Sequence, residues 1–243
     1  MIFKVIIDKF DEEKVSLSKY CIILIVYMSK YCEFKFIDNM LNYYNNNNIS
    51  SNSFAIKFSA LNVFRAIIET KEKVGIFPSI VKSLPMLTSI ILQNILLPIR
   101  KLLVLIMRQI PKNFGFLIIE NYDLFDKFMS HFLNLLNDSQ PHIIYTTLES
   151  INKLVKQVNT NYFLATNLIT KYSQNFYKTF LSLAKNTNLF DRNNNIPKLA
   201  LYTLGTYGTH VSLDTINIIY NVIKSLTEMF ANTLIINNFN NQK

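Results

Sequence analysis

Glycine scarcity is the feature that most constrains the fold of this 243-residue chain. The sequence contains 4 glycines and 6 prolines, below the usual shares of roughly 7% and 5%. β-Sandwiches, barrels and doubly wound sheets need many tight turns, and those turns depend on glycine. Half of the residues are hydrophobic, so a large core can still be buried. The chain is therefore predicted to be built from α-helices.

Three prolines mark helix starts at a spacing that indicates a repeat. Proline is tolerated in the first helical turn, because its missing N–H group would have no partner there. Pro98, Pro141 and Pro197 lie 43 and 56 residues apart, and an Asn-rich insertion of about ten residues lengthens the second interval. Without it, both intervals approach the roughly 40–47 residues of HEAT and armadillo repeats. We expect an all-α superhelix (a solenoid of helical hairpins), whereas a plain bundle would share the helices but not the spacing.

The predicted helices fill most of the chain, which is interpreted as a single helical-repeat segment over residues 1–243. Residues 98–236 carry the best-supported hairpins, whereas residues 1–50 are predicted to form less regular helices with an Asn-rich loop. An apolar face from Phe54 to Phe64 indicates a further helix. Proline and capping signals predict starts at Pro78, Pro85 and Pro98, a stop at Pro111, and helices over 122–136, 141–158, 161–184, 197–208 and 214–235.

The net charge of +9 bears on the class of partner. The 25 lysines and arginines are scattered against 16 acidic residues, and no run of five or six basic residues occurs. This pattern is typical of a solvated basic surface, and where it marks a binding face it favours an acidic protein over nucleic acid. Arg100, Lys101 and Arg108 are candidate members of a basic contact ridge on the helix that begins at Pro98.

Sequence motifs for catalysis and ligand binding are missing. No glycine-rich phosphate loop, nucleophile elbow or kinase signature occurs. His131, His142 and His210 lack the spacing of metal ligands. Asp123 and Asp126 are interpreted as complements to the dipole of a helix start. We therefore expect a non-enzymatic protein with no cofactor, no metal and no small-molecule substrate.

Two apolar features are interpreted as core. Residues 86–107 form a long apolar run, but a proline and two basic residues interrupt it at 98–101, so a buried pair of helices is favoured over a membrane span. The second feature is an aromatic series at helical spacing, Tyr172, Phe176, Tyr177 and Phe180. It is predicted to pack inside the protein, because a base-stacking surface needs interleaved Arg or Lys.

A more specific pattern occurs in residues 200–208, which read Ala-Leu-Tyr-Thr-Leu-Gly-Thr-Tyr-Gly. Leu204, Gly205, the aromatic Tyr207 and Gly208 agree in order and spacing with a helix of the TRRAP family, the transformation/transcription domain-associated pseudokinases. Residues 110–210 as a whole resemble the helical region of that family. The chain departs from the family pattern where Tyr202 and Thr206 replace basic residues, and where Thr209-His210 replaces a glycine and its neighbour.

The resemblance implies a piece of a much larger nuclear scaffold, which receives transcription activators and other subunits in histone acetyltransferase complexes. It implies protein partners and no kinase chemistry, and we expect no direct contact with nucleic acid or membrane. Gly205 and Gly208, three residues apart, are predicted to allow close helix packing, the alternative being a partner-docking groove. A second hypothesis is another HEAT or armadillo adaptor, such as a karyopherin-like transport factor. The +9 charge argues against it, because such chains usually present acidic inner surfaces to basic cargo.

Overall fold

A computed structural model describes residues 54–69, 76–92, 96–158, 163–186 and 195–209, with isolated positions at 23, 27 and between 217 and 228. Nearly all of these residues are helical, and no β-strand occurs among them. The prediction of an all-α fold is therefore confirmed. The less regular helices predicted for residues 1–50 lie outside the described residues, except at Ile23 and Tyr27, and so does most of the helix predicted over 214–235.

The chain divides into two compact units, Met1–Leu117 and Ile118–Lys243. The described helices of the first unit are α1 (Phe54–Glu69), α2 (Phe77–Leu92) and α3 (Leu97–Glu120), and α3 ends three residues beyond the boundary. In α1 the predicted apolar face is buried at Leu61 and Phe64 but not at Phe54, which is 44% exposed. The core face therefore lies toward the carboxyl end of α1. The prediction of a single segment over 1–243 stays a prediction.

Two of the prolines do not act as predicted. Pro85 does not start a helix but lies inside α2, and Pro111 does not end α3. The backbone of α3 instead leaves the helical region at Phe114, where φ is −129° and ψ is 17°. Pro111 lies inside the helix three residues before this kink, where it removes one intrahelical hydrogen bond.

The second unit contains four described helices, whose starts follow the sequence prediction closely. They are α4 (Tyr122–Leu135), α5 (Pro141–Val155), α6 (Phe163–Lys185) and α7 (Ile196–Gly208). The Asn121 side chain caps α4 by accepting from the backbone N–H of Leu124 at 3.0 Å. Asn195 caps α7 in the same way through the N–H of Lys198, also at 3.0 Å. Both asparagines satisfy backbone donors that the first helical turn leaves without partners.

The four helices of the second unit pack as two layers. α4 packs on α5 and α6, and α7 packs on α5 and α6. Helices that are consecutive in the sequence, α4 with α5 and α6 with α7, form hairpins. Alternate helices lie side by side, and they form one layer of α4 and α6 and a second layer of α5 and α7. This is the packing expected when consecutive hairpins stack, because each hairpin buries its apolar face against the next one.

Polar contacts between alternate helices give the length of the repeat, because the two bonded residues lie about one repeat apart in the sequence. In the first unit, Gln109 of α3 donates to Glu69 of α1, 40 residues away, and the Asn113 amide donates to the Ile68 carbonyl, 45 residues away. In the second unit the corresponding pairs are 45–51 residues apart. These separations lie close to the period of roughly 40–47 residues that the sequence predicts.

One described helix, α3, is long and apolar enough to cross a membrane by length and composition, and 61% of its apolar stretch is buried inside the protein. A core helix passes the same test, so the interpretation of this region as buried core is consistent with its packing.

Candidate protein-binding surface

Tyr207 lies at the centre of the contact between α6 and α7. Its side chain is fully buried, and its hydroxyl donates to the carbonyl oxygen of Ile169 at 2.6 Å. Its ring centroid lies 5.3 Å from that of Phe176, 5.8 Å from that of Tyr177 and 6.1 Å from that of Phe180. Burial raises the pKa of Tyr207 well above its ordinary value, so the phenol stays neutral and keeps its donor.

The aromatic series of α6 is therefore part of the core, as the sequence predicts. Phe176 and Phe180 are fully buried and Tyr177 is 4% exposed, whereas Tyr172 is half-buried. Burial also raises the pKa of Tyr177. No ring of the buried three is available as a stacking surface for a ligand.

A buried polar pair joins α5 to α7. The Asn152 amide donates to the hydroxyl oxygen of Thr203, and that hydroxyl donates to the Leu199 carbonyl within its own helix at 2.7 Å. Asn152 is 6% exposed and Thr203 is fully buried. A buried amide N–H needs an acceptor, so this pair fixes which residue of α5 lies beside which residue of α7.

Above this buried pair, the same two helices present an exposed contact. The Lys156 ammonium group, just after α5, donates to the Tyr202 hydroxyl and lies 4.7 Å from the centre of the Tyr202 ring. Tyr202 is 53% exposed and Lys156 is exposed. The residue that follows α5 thus places a positive charge beside the exposed ring of Tyr202.

The two glycines of α7 lie in different surroundings. Gly205 is exposed, and a Cβ built on it would meet no heavy atom within 4 Å among the described residues. Gly208 is buried. No described helix approaches Gly205 closely, so its predicted role in close helix packing stays a prediction. With Tyr202, one helical turn earlier, Gly205 forms part of an open face of α7.

A charged contact joins α4 to α6 on the other layer. Asp126 accepts from the Lys171 ammonium group at 2.8 Å and from the Tyr172 hydroxyl at 2.9 Å. Only Asp123 of the two predicted dipole partners lies in the first turn of α4. The interpretation of Asp126 is therefore corrected: it binds a neighbouring hairpin rather than simply complementing the helix dipole. Sequence spacing gave no signal for this, since its partners are 45 and 46 residues away.

The pKa values of the three groups follow from this contact. Burial alone would raise the pKa of Asp126, but the hydrogen bonds from Lys171 and Tyr172 and the Lys171 charge lower it overall. The hydrogen bond to Asp126 raises the pKa of Lys171, against a smaller opposing effect of burial. Burial, followed by Asp126, raises the pKa of Tyr172. The charged carboxylate, the ammonium group and the neutral phenol therefore stabilise one another.

The predicted basic ridge lies on α3, in the first unit. Lys101 is exposed, whereas Arg100 and Arg108 are half-buried. Lys112 is also exposed and extends the same helix face, although the sequence prediction did not include it. Residues 97–117 contain these four basic residues and no acidic one. Whether the ridge contacts a partner stays a prediction.

The histidines do not gather into a site in the described part of the chain. His131 is half-buried on α4, where burial and then the nearby Lys127 lower its pKa. His142 lies in the first turn of α5, and His210 lies outside the described residues. No group of three or more metal-ligating side chains occurs among the residues that the structure describes.

Comparisons with known proteins identify the fold and leave the family open. No family model matches the sequence, and no curated protein matches it. Yeast importin-β is similar in structure with a TM-score of 0.67 and 14% sequence identity, over 94% of this chain and 26% of that protein. An engineered protein is similar with a TM-score of 0.56 and 10% identity, over 83% of this chain and 77% of the other. A designed armadillo repeat protein gives a TM-score of 0.45 at 11% identity.

The likeness at such low identity concerns the fold alone. The chain spans about a quarter of the length of importin-β. The predicted class, a HEAT/armadillo-like solenoid of helical hairpins, is confirmed by the likeness to importin-β and by the stacked packing of the second unit. At this level the comparisons and the stacked packing of the second unit give the fold, a helical-repeat solenoid.

Proposed function

We propose that this chain is a non-catalytic segment of a nuclear, TRRAP-like scaffold that binds transcription activators and subunits of histone acetyltransferase complexes. The observation that carries the proposal is the stacked hairpin packing of the second unit, in which α5 and α7 lie side by side. Side-by-side helices build a continuous surface from successive repeats, and such extended surfaces are what repeat proteins use to bind other proteins.

The TRRAP assignment is supported by the residues that carry the resemblance. Leu204, Tyr207 and Gly208 are buried at the contacts of α7. Such residues keep a repeat in register with its neighbours, so their order along α7 reflects the packing of the hairpin. The exposed position Tyr202 departs from the family pattern, but Lys156 supplies a cation beside it. The outer face of α7 is therefore our candidate contact surface for a complex subunit.

A karyopherin-like transport factor is the second candidate. The likeness to yeast importin-β over 94% of this chain supports it. The charge of +9 opposes it, because a basic surface repels the basic cargo that such a factor carries.

Affinity purification with the tagged full chain from nuclear extract of the source cells tests the first candidate. Recovery of acetyltransferase subunits supports it, and their absence from the bound fraction refutes it. The double variant Lys156→Glu with Tyr202→Ala removes the exposed contact and is expected to reduce recovery. Lys178→Glu with Tyr122→Ala is the matched control, since both residues are exposed on the other layer.

Titration calorimetry with a basic import peptide tests the second candidate. Saturable binding of that peptide, together with no recovery of acetyltransferase subunits, would favour a transport factor over the TRRAP-like scaffold.

A further inference from the structure

One face of α7 is open to solvent from its first turn to the residue after its end. Lys198, Tyr202, Gly205 and Thr209 follow one another at intervals of four, three and four residues, so an α-helix places them within about 60° of one another around its axis. All four are exposed, Tyr202 by 53%. They span about 16 Å along the axis. We call these four residues the α7 stripe.

The Tyr202 hydroxyl of the stripe has a proton left to donate. Its oxygen accepts from the Lys156 ammonium group, and a phenol can accept and donate at the same time. No acceptor for the Tyr202 proton occurs among the residues that the structure describes. The Lys156 ammonium group has three N–H donors, and the bond to Tyr202 uses one of them. A neutral donor and a charged donor are therefore adjacent at an exposed position.

Positive charge accompanies these two donors. Lys198 precedes Tyr202 by four residues, and residues at this spacing have Cβ atoms about 6 Å apart on one face of a helix. Neither Lys156 nor Lys198 forms an ion pair with a carboxylate in the described part of the chain. α7 has no acidic residue, and Glu149 of α5 precedes Lys156 by seven residues, which is about 10 Å along a helix. The charges at this place therefore favour an anion beside Tyr202.

Gly205 leaves room beside the exposed ring of Tyr202. A Cβ built on Gly205 would meet no heavy atom within 4 Å, so packing among the described residues does not require glycine at this position. Glycine is less favourable than alanine in the interior of a helix. Its benefit is that another backbone can approach the helix closely where no side chain projects. The stripe thus combines an anion-binding group of donors with a place for a close backbone approach.

We propose that the α7 stripe and Lys156 bind an acidic segment of a partner protein. The two oxygens of one carboxylate accept from the Tyr202 hydroxyl and the Lys156 ammonium group, and a neighbouring carboxylate pairs with Lys198. The backbone of the segment crosses the helix at Gly205. The inference rests on the proposed protein-binding function, and it names the chemistry of the partner at that same surface.

The small number of donors favours a protein over nucleic acid as the partner. Proteins that bind DNA through its backbone make roughly 6–10 phosphate contacts. The stripe and Lys156 offer two cations and one neutral hydroxyl donor beside an open glycine. This set matches two carboxylates of a short polypeptide segment.

Fluorescence anisotropy with the full chain tests the proposal. The probe is a labelled 12-residue peptide of alternating Glu and Ala, compared with its Glu→Gln version and with a labelled DNA duplex of 20 base pairs. We expect the acidic peptide to bind at least about tenfold more tightly than the Gln peptide, and its affinity to fall with added salt. Equal binding of the two peptides, or no binding of either, would overturn the proposal, and so would tighter binding of the DNA.

Charge-reversal variants locate the site. Lys156→Glu with Lys198→Glu is expected to weaken binding of the acidic peptide by about tenfold or more, because two attractions become repulsions. Lys178→Glu with Lys185→Glu makes the same change in net charge at exposed positions of α6 and should have little effect. Equal losses in the two double variants would mean that the peptide responds to net charge alone, and the assignment to α7 would be wrong.

The hydroxyl is tested by Tyr202→Phe, which keeps the ring and removes the donor. This variant should weaken binding of the acidic peptide by about threefold or more. Tyr122→Phe, which removes a hydroxyl from an exposed tyrosine of α4, is the control and should leave the affinity unchanged. Unchanged affinity in Tyr202→Phe would contradict the carboxylate position proposed here.

Gly205→Gln separates binding from stability. The added side chain has open space, and Gln favours a helix more than Gly does, so the urea midpoint should stay the same or rise. Binding of the acidic peptide should nevertheless weaken by about threefold or more, since the new side chain lies where the segment crosses and must be ordered or displaced. Ser182→Gln, at an exposed position of α6, is the control. Unchanged affinity in Gly205→Gln would refute the path over Gly205.

The outcomes separate this inference from the proposed function. Recovery of acetyltransferase subunits by a chain that does not bind the acidic peptide would leave the scaffold in place and refute the acidic site. Binding of the acidic peptide at the stripe without recovery of those subunits would support the site and refute the TRRAP-like function. Circular dichroism of each variant establishes that a loss of binding is not a loss of folding.

Discussion

Two chemically different kinds of contact hold the helices of the second unit together. α7 is held to α5 and α6 by buried neutral groups, the Asn152–Thr203 pair and the aromatic cluster around Tyr207. α4 is joined to α6 by the ion pair of Asp126 and Lys171, in which the Lys171 side chain is 53% exposed. The first kind of contact is shielded from solvent, whereas the second is reached by water and salt.

The two kinds of contact differ in how much they stabilise the fold and in how strongly they respond to pH and salt. A buried hydrogen bond or aromatic cluster contributes much to stability because breaking it leaves a cavity or an unpaired polar group. An exposed ion pair contributes little, but its contribution changes with pH and ionic strength. The stability of the unit should therefore depend mainly on α7, and its response to solution conditions on the contact between α4 and α6.

The largest effect is expected at Tyr207. Tyr207→Ala removes a fully buried ring and should lower the free energy of unfolding by about 3–5 kcal/mol. Tyr207→Phe keeps the ring but loses the hydrogen bond to the Ile169 carbonyl, and should cost about 1 kcal/mol. Urea denaturation followed by circular dichroism measures both.

Tyr202→Ala is the matched control for this change, since it removes the same side chain from an exposed position on the same helix. A surface substitution of this kind should alter stability by less than about 0.5 kcal/mol. If the Tyr202 and Tyr207 variants lost equal stability, α7 would not be anchored by its buried face.

A smaller effect is expected at the buried polar pair. Thr203→Val takes the acceptor from the Asn152 amide and leaves a buried donor without a partner, which should cost about 1–3 kcal/mol. Replacing both residues, as Asn152→Leu with Thr203→Val, removes the unpaired donor and should recover much of the loss. Thr206→Val is the control, because the Thr206 hydroxyl donates to the Tyr202 carbonyl within its own helix. Additive losses in the double variant would argue against a functioning pair.

The sequence predicts those parts of the fold that depend on local chemistry. Helix starts at Pro98, Pro141 and Pro197 follow from the fit of proline to a first turn, and the structure places them at the starts of α3, α5 and α7. The same local rule is wrong for Pro85 and Pro111, which lie inside helices. A proline inside a helix costs roughly 3 kcal/mol of stability. Buried contacts with other helices can offset this cost, and such contacts cannot be identified from a single sequence.

The candidate surfaces are less predictable, because they depend on residues brought together from different repeats. Lys156 and Tyr202 are 46 residues apart, and no spacing rule pairs them. The exposure of Gly205 likewise depends on which face of α7 the neighbouring helices cover. The basic ridge of α3 could have been predicted more fully, since Lys112 follows Lys101 and Arg108 at helical spacing, but the stop predicted at Pro111 left Lys112 outside the helix.

The smallest change in the free energy of unfolding is expected at Asp126, and this change should depend most on pH and salt. Asp126→Asn keeps the shape of the side chain and removes its charge, and should destabilise the protein less than Tyr207→Phe does. The pKa of Asp126 is lowered in the folded state, so its contribution is present above the ordinary value of about 4 and is lost as the pH falls through the folded pKa. The pKa values of Lys171 and Tyr172 are raised, so their contributions hold up to about pH 10 and are lost above it.

Wild type and Asp126→Asn should therefore differ by a constant amount between about pH 5 and pH 9 and converge in acid. A double-mutant cycle with Lys171→Met isolates the pair, and Lys178→Met serves as the uncoupled control. The coupling should shrink in 1 M salt, where screening is strongest, while the losses at Tyr207 and Thr203 stay unchanged. A coupling that survives both acid and salt would mean that the contact between α4 and α6 is as shielded as the contacts of α7, and the contrast between the two kinds of contact would be wrong.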